Sequence, residues 1–427
     1  MVSIAERIGS FLAGIARDLK YSAWFTRRRA LAYAAGLLAV EVAAFLLIAA
    51  IQRNYIVTLD RPTTTDFASF YAAGALADAG TPALAYDRAA HHAAEERATS
   101  PGINYSYFYY PPIFLLVCAA LAAAPYLVSF AIFESATLLG YVAIVRAISR
   151  ERGWGSLVPI LAFPAVPWTI GVGQNGFLTA AIFGGATLLV DRRPIAAGLL
   201  FGTLACKPQF AVLVPVALAA GRNWRAFWAA AAAGLILAVA SLALFGADTW
   251  RSFFVAIAGS GTTYESVIDK GAMVNGFGAV LILGGSPVIA YAVQAVVTLA
   301  AAFLVACVWR WPTGVAVRGA ALAGAALLAA PLALFYDFTI AFVAIAWLIR
   351  QGRDEGFMPW DKAILMGTFI VPLASRYIGR EHVPIATVAL MALLVIVVRH
   401  ARRQVTKGAC GTIGAVPDAG RSLSIQA

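Results

Sequence analysis

Charge is scarce in this chain. Asp, Glu, Lys and Arg supply 12% of its 427 residues, whereas a soluble domain uses about a quarter to cover its surface. With 61% of the residues apolar, that shortage excludes an ordinary soluble globule. Cysteine is equally sparse: Cys118, Cys206, Cys307 and Cys410 form no pair with metal-ligand spacing. Neither a disulfide framework nor a zinc site is indicated, and these side chains read as packing residues. The hydrophilic segments contain no Asp-x-Asp element and no His/Cys ligand set, so no metal and no cofactor is indicated. Near the amino terminus no small-residue cleavage site follows a short apolar core. The basic first 29 residues (Arg7, Arg17, Lys20, Arg27, Arg28, Arg29) therefore read as an amphipathic helix on the cytoplasmic membrane surface.

What is present is a series of apolar runs. They cover 30–51, 125–148, 155–172, 175–191, 225–246, 286–309, 318–335, 338–349, 360–375 and 383–399. About 20 helical residues cross a hydrocarbon layer of roughly 30 Å, so the pattern predicts an all-α polytopic membrane protein of about ten spans. Many runs are rich in Ala and Gly, which suits closely packed helices. Two segments are not simple spans. Residues 112–124 are too short to cross and precede Pro125, which predicts a re-entrant or half-span helix. Residues 195–220 carry arginines beyond both ends and break at Lys207-Pro208-Gln209, as expected of two half-helices meeting inside the membrane.

Orientation follows from the basic residues. With the amino terminus inside, most of the 32 Lys and Arg fall in cytoplasmic segments, and both termini are cytoplasmic. The net charge of +11 is then a topology signal, and nucleic acid is not the implied partner. The predicted membrane domain is 30–403, followed by a disordered cytoplasmic tail, 404–427. Outside lie a large first loop, 52–111, and a second segment, 247–285. A loop longer than about 15 residues is usually functional.

The unusual polar residues gather on this outer side. The first loop holds Asp66, Tyr71, Asp87 and the aromatic run ending Tyr109-Tyr110-Pro111-Pro112. Shorter outer turns hold Gln174-Asn175, Tyr336-Asp337 and Arg376-Tyr377-Ile378-Gly379-Arg380. Asp66 reads as an N-cap or as a catalytic carboxylate; Gln174 and Asn175 as caps or as sugar ligands. Tyr109 and Tyr110 are interface anchors or platforms for a sugar ring. Lys207, with Gln209 two residues on, lies within an apolar hairpin, where an ionisable group is a functional candidate. Its partner is either the phosphate of a lipid substrate or a carboxylate such as Glu134. Glu41 and Glu134 read as hydrogen-bonded structural carboxylates, and His91-His92 as part of a solvated helix.

The succession Asp66-Phe67 with Tyr71 and Gly74, Tyr86-Asp87, Tyr110-Pro111-Pro112, Gly173-Gln174-Asn175, Arg192-Arg193-Pro194 and Lys207-Pro208-Gln209 resembles glycosyltransferase family 87, over about 60–225. The family includes polyprenyl-phosphate-mannose-dependent α-mannosyltransferases. The resemblance implies a GT-C-type fold in the plasma (inner) membrane. It implies a polyprenyl-phosphate hexose donor, mannose or another, and a lipid or glycan acceptor, with inverting transfer on the extracytoplasmic face. It makes Asp66 the general base. Tyr71, Asp87, Tyr109, Tyr110, Gln174, Asn175, Lys207, Gln209, Asp337, Arg376, Tyr377 and Arg380 are then the candidate substrate ligands. The rival reading is a transporter or flippase for a lipid-linked sugar, but the two halves show no internal repeat. A non-catalytic scaffold would have no use for Lys207 in a broken helix.

Overall fold

The computed structural model describes residues 4–51, 66–260 and 269–413. Among them regular structure is helical, with one isolated bridge between Met273 and Leu334. Two helices come first, α1 (Ile4–Tyr21) and α2 (Arg27–Ile51). An outer layer follows, made of α3 (Asp66–Asp78), a 3-10 turn at Pro82–Tyr86 and α4 (Arg88–Ala98). Then come α5 (Pro112–Ala122), α6 (Tyr126–Ser149), α7 (Leu157–Leu161), α8 (Ala165–Val172) and α9 (Gly176–Leu189). The broken hairpin comprises α10 (Pro194–Thr203), α11 (Pro208–Ala211) and α12 (Leu213–Ala220). The rest is α13 (Trp224–Ala258), α14 (Gly276–Ile282), α15 (Pro287–Arg310), α16 (Val315–Ala329), α17 (Thr339–Glu355), α18 (Asp361–Arg380) and α19 (Ile385–Ile413).

Proline sets many of the starts. Pro112, Pro194, Pro208 and Pro287 each occupy the first turn of their helix, where the missing N–H costs nothing. At Lys207-Pro208 the backbone leaves the helical region, with φ −139° and ψ 66° at Lys207, because a residue before proline is pushed out of the α basin.

Among the described residues five helices are long and apolar enough to cross a membrane, in α2, α6, α13, α15 and α19. A sixth crossing arises if α7 and α8, with the 3-10 turn ahead of them, form one span bent by 66°. Of the other runs expected as spans, those forming α9, α16 and α17 are mostly buried inside the bundle, while α18 keeps one side exposed. Val315–Ala329 has 15 residues, about 22 Å at 1.5 Å each, and is buried almost throughout. With α9, α12, α17 and α19 it makes the main apolar core. A second core joins the outer layer to the bundle through Phe67, Phe70, Phe114, Tyr126 and Phe133.

Several expectations are corrected here. The run expected to end at 246 does break there: Gly246 (φ 79°, ψ 166°) leaves the helical region, and a second helical stretch carries α13 on to Ala258. The second outer segment is thus helical at its start, and 261–268 lie outside the described residues. The tail expected from 404 is helical to Ile413, and 414–427 are not described. His91 is fully buried rather than solvated, its Nε2 3.1 Å from the Ser69 carbonyl. The carboxylate oxygens of Glu41 and Glu134 have no hydrogen-bond partner among the described residues, whereas hydrogen-bonded structural acids were expected.

Candidate active site

Asp66 is the first residue of α3. Its Oδ2 accepts a 2.7 Å hydrogen bond from Nε2 of Gln174, a residue 108 positions away. Gln174 Oε1 accepts from the Tyr110 hydroxyl at 3.1 Å and from the Asn175 N–H at 3.2 Å. The Asn175 side chain does not cap α9; its Oδ1 accepts from Lys207 Nζ at 2.9 Å. Lys207 also donates to Asp337 Oδ1 at 2.7 Å, and Asp337 Oδ2 accepts from the Leu334 N–H at 3.0 Å. One polar chain therefore runs Asp66–Gln174–Asn175–Lys207–Asp337. It draws on α3, the α8–α9 turn, the broken hairpin and the turn before α17.

Local sequence explains how these pieces meet. Gly173 closes α8 with φ +67°, and a Cβ there would sit 2.6 Å from the Phe67 Cβ. Only glycine lets the Gln174 turn lie against the start of α3. At Gly176 an added Cβ would meet the Tyr336 carbonyl at 2.9 Å. The Thr339 hydroxyl donates to the Gly176 carbonyl at 3.0 Å, tying the Asp337 turn to α9. The chain is buried at one end and partly open at the other: Lys207, Asn175 and Asp337 are 3%, 1% and 1% exposed, while Asp66 is half-buried. Burial pushes the Asp66 carboxyl above its usual range, against the Gln174 hydrogen bond and the Lys207 charge. A carboxyl so raised is a better base near neutrality.

The family model of glycosyltransferase family 87 matches residues 108–334. The chain belongs to that family. No curated protein and no solved structure matches it. In this family 87 chain the matched span holds Tyr110, Gln174, Asn175 and Lys207, while Asp66 precedes it and Asp337 follows. The protein is accordingly a membrane glycosyltransferase.

The other predicted residues are distributed around this chain. Tyr71 donates its hydroxyl to the Ala124 carbonyl at 2.9 Å, fastening α3 to the α5–α6 turn. Asp87 caps α4, its carboxylate accepting from the Ala90 N–H at 2.8 Å. Tyr109 is half-buried and stacks on Tyr107, centroids 5.6 Å apart. Gln209 is half-buried on α11. Arg376 and Arg380 donate to one oxygen, Asp269 Oδ2, at 2.8 and 2.7 Å. Burial opposes ionisation of Asp269, but the two guanidiniums outweigh it and hold the carboxyl below its ordinary value. Tyr377 is exposed, with Arg380 5.9 Å from its ring. This group adjoins the polar chain through two rings: Arg376 lies 5.6 Å from Phe335, Phe335 5.5 Å from Tyr336, and Lys207 5.4 Å from Tyr336.

Sequence reading missed three things. Asp337, not Glu134, is the partner of Lys207; both carboxylates lie far from Lys207 in sequence and spacing does not separate them. Asp269 gave no signal, because it sits in an unremarkable polar segment. Tyr86, part of the motif succession, donates to the Tyr110 carbonyl at 2.8 Å and so steadies the segment that leads into α5. Its place in the same motif succession as Tyr110 was the available clue.

Proposed function

We propose that the enzyme moves a hexose from a polyprenyl-phosphate donor to a hydroxyl of a lipid or glycan acceptor, with Asp66 as the general base and a GT-C-type arrangement of the bundle. The observation that carries this reading is the half-buried Asp66, its carboxylate held through Gln174 to a fully buried Lys207–Asp337 pair. In the reaction the acceptor oxygen attacks the anomeric carbon as its proton passes to Asp66. The bond from that carbon to the phosphate oxygen breaks, and polyprenyl phosphate leaves with the electron pair. One displacement inverts the anomeric centre. A fixed carboxylate also favours the positive charge that builds on the sugar ring.

The Lys207 ammonium is already neutralised by Asp337, so its contribution is to hold Asn175, and through it Gln174 and Asp66. The donor phosphate is better served by Arg376 and Arg380, whose two positive charges share one carboxylate. Tyr109 and Tyr110 are the ring platforms for the sugar, and Gln209 and Tyr377 border the approach. The basic end of the bundle is assigned to the cytoplasm of a plasma (inner) membrane, which puts Asp66 outside.

The test is to incubate purified protein with a panel of polyprenyl-phosphate sugars, nucleotide sugars and membrane lipid extracts, and to identify products by mass. Transfer from a polyprenyl-phosphate sugar is expected; transfer from nucleotide sugars alone would defeat the donor assignment. For the facing, Arg97→Cys should react with an impermeant thiol reagent in intact cells and Arg192→Cys should not. The reverse pattern would put Asp66 inside.

A further inference from the structure

Helices α6, α9 and α17 all begin beside the polar chain and run away from it. Along the 24 residues of α6 that distance is about 36 Å. At the far end lies a cavity of about 690 Å³ lined by Ala143, Arg146, Ala147, Arg150, Glu151 and Arg152. Its two alanines are exposed on the outward flank of α6, where acyl chains pack in a membrane. Its other walls are mostly cationic.

The local acids are already committed. Glu151 pairs with Arg27 at 3.2 Å and Arg353 at 2.7 Å. Asp354 pairs with Arg150 at 3.5 Å and Arg350 at 3.8 Å. Six arginines thus stand around two carboxylates, and Arg146 and Arg152 pair with neither. The buried Nε of Arg146 has no hydrogen-bond partner among the described residues, which is costly for a charged donor unless something meets it. Arg146 also donates to the Arg152 carbonyl, so the loop after α6 holds its guanidinium in place at the mouth.

We propose that this cavity binds an anionic phospholipid, its headgroup phosphate among Arg146, Arg150 and Arg152 and an acyl chain along Ala143 and Ala147. Guanidinium groups match phosphate oxygens with paired N–H donors, and basic pockets at the cytoplasmic side of helix bundles suit such headgroups. Charge alone would attract anionic lipid loosely to the whole basic end. The cavity, the outward alanines and the unmet Arg146 Nε make this a single defined site. It is independent of the chemistry at Asp66.

The experiment is native mass spectrometry of the full-length protein, titrated in neutral detergent with dioctanoyl phosphatidylglycerol or dioctanoyl phosphatidylcholine. One phosphatidylglycerol per chain should bind saturably and phosphatidylcholine should not. Arg150→Gln/Arg152→Gln changes two exposed side chains and should weaken that binding about tenfold, the loss of roughly one charge-assisted hydrogen bond. Arg193→Gln, an exposed arginine outside the cavity, should leave it unchanged. Equal binding of the two lipids, or equal loss in both variants, would overturn the proposal. So would displacement of the lipid by millimolar inorganic phosphate, which would mark a free-anion site. A matched elution volume for all variants by size exclusion confirms that the fold is intact.

Discussion

Replacing Lys207 by methionine keeps the length of the side chain and removes its charge. The consequence falls on Asp337, whose side chain is 2% exposed and would keep only the Leu334 N–H. Removing one partner of a buried ion pair costs about 3–5 kcal/mol, most of it the penalty of the stranded charge. Asp337→Asn strands the ammonium instead, leaving it neutral amide oxygens in place of a carboxylate, and should cost about as much. The double variant Lys207→Met/Asp337→Asn buries no charge, so its cost should drop to about 1–2 kcal/mol, the loss of hydrogen bonds alone. The double variant should therefore unfold later than either single variant, a coupling of at least about 2 kcal/mol. Unfolding of purified protein by titration with sodium dodecyl sulfate reads this directly. Single variants as stable as the parent, or a double variant that loses the sum of the two, would refute the view of Lys207 and Asp337 as a closed pair.

Gln174→Ala removes the donor to Asp66 and the acceptor for Tyr110; kcat should fall about 10–100-fold, the worth of one hydrogen bond to a charged group, while KM for donor changes little. Gly173→Ala puts a Cβ where Phe67 stands and strains a left-handed residue; about 1–3 kcal/mol of stability and most transfer activity should be lost, and an unaffected enzyme would show that the turn is not needed to place Gln174. In the outer layer, burial raises Glu95 to about 8 and lowers His91 to about 4. The raised carboxyl binds protons in the folded state, so its effect removes stability as pH climbs from 4.5 to 8; His91 acts oppositely below 6.5. From pH 6.5 to 8 only the Glu95 effect remains, so hydrogen exchange in 88–106, corrected for intrinsic rate, should quicken over that range and stay flat in Glu95→Gln.

The helices and their breaks were legible because they rest on local rules. Apolar runs, prolines at helix starts and the Lys207-Pro208 pair all act within a few residues. The number of crossings was less legible. A 15-residue apolar run reads the same whether lipid or protein surrounds it, and in this bundle α16 and α17 are enclosed by neighbouring helices. At the site, Asp66, Gln174, Asn175, Lys207 and Asp337 could each be singled out as polar groups in apolar surroundings. Their connection into one chain could not, because it depends on contacts between residues 32 to 130 positions apart. Asp87 illustrates the opposite limit: it belongs to a motif succession, yet its carboxylate is spent on the Ala90 N–H. His91 failed for a related reason, since a polar sequence hides the face that α4 turns toward Ser69.

Asp66→Asn is close to isosteric, so it keeps an acceptor for Gln174 while abolishing a base. With purified protein and a polyprenyl-phosphate sugar that the parent enzyme uses, single-turnover transfer should fall at least about a hundredfold, with donor binding and unfolding behaviour preserved. Transfer by Asp66→Asn at the parental rate would contradict the assignment of this carboxylate as the base.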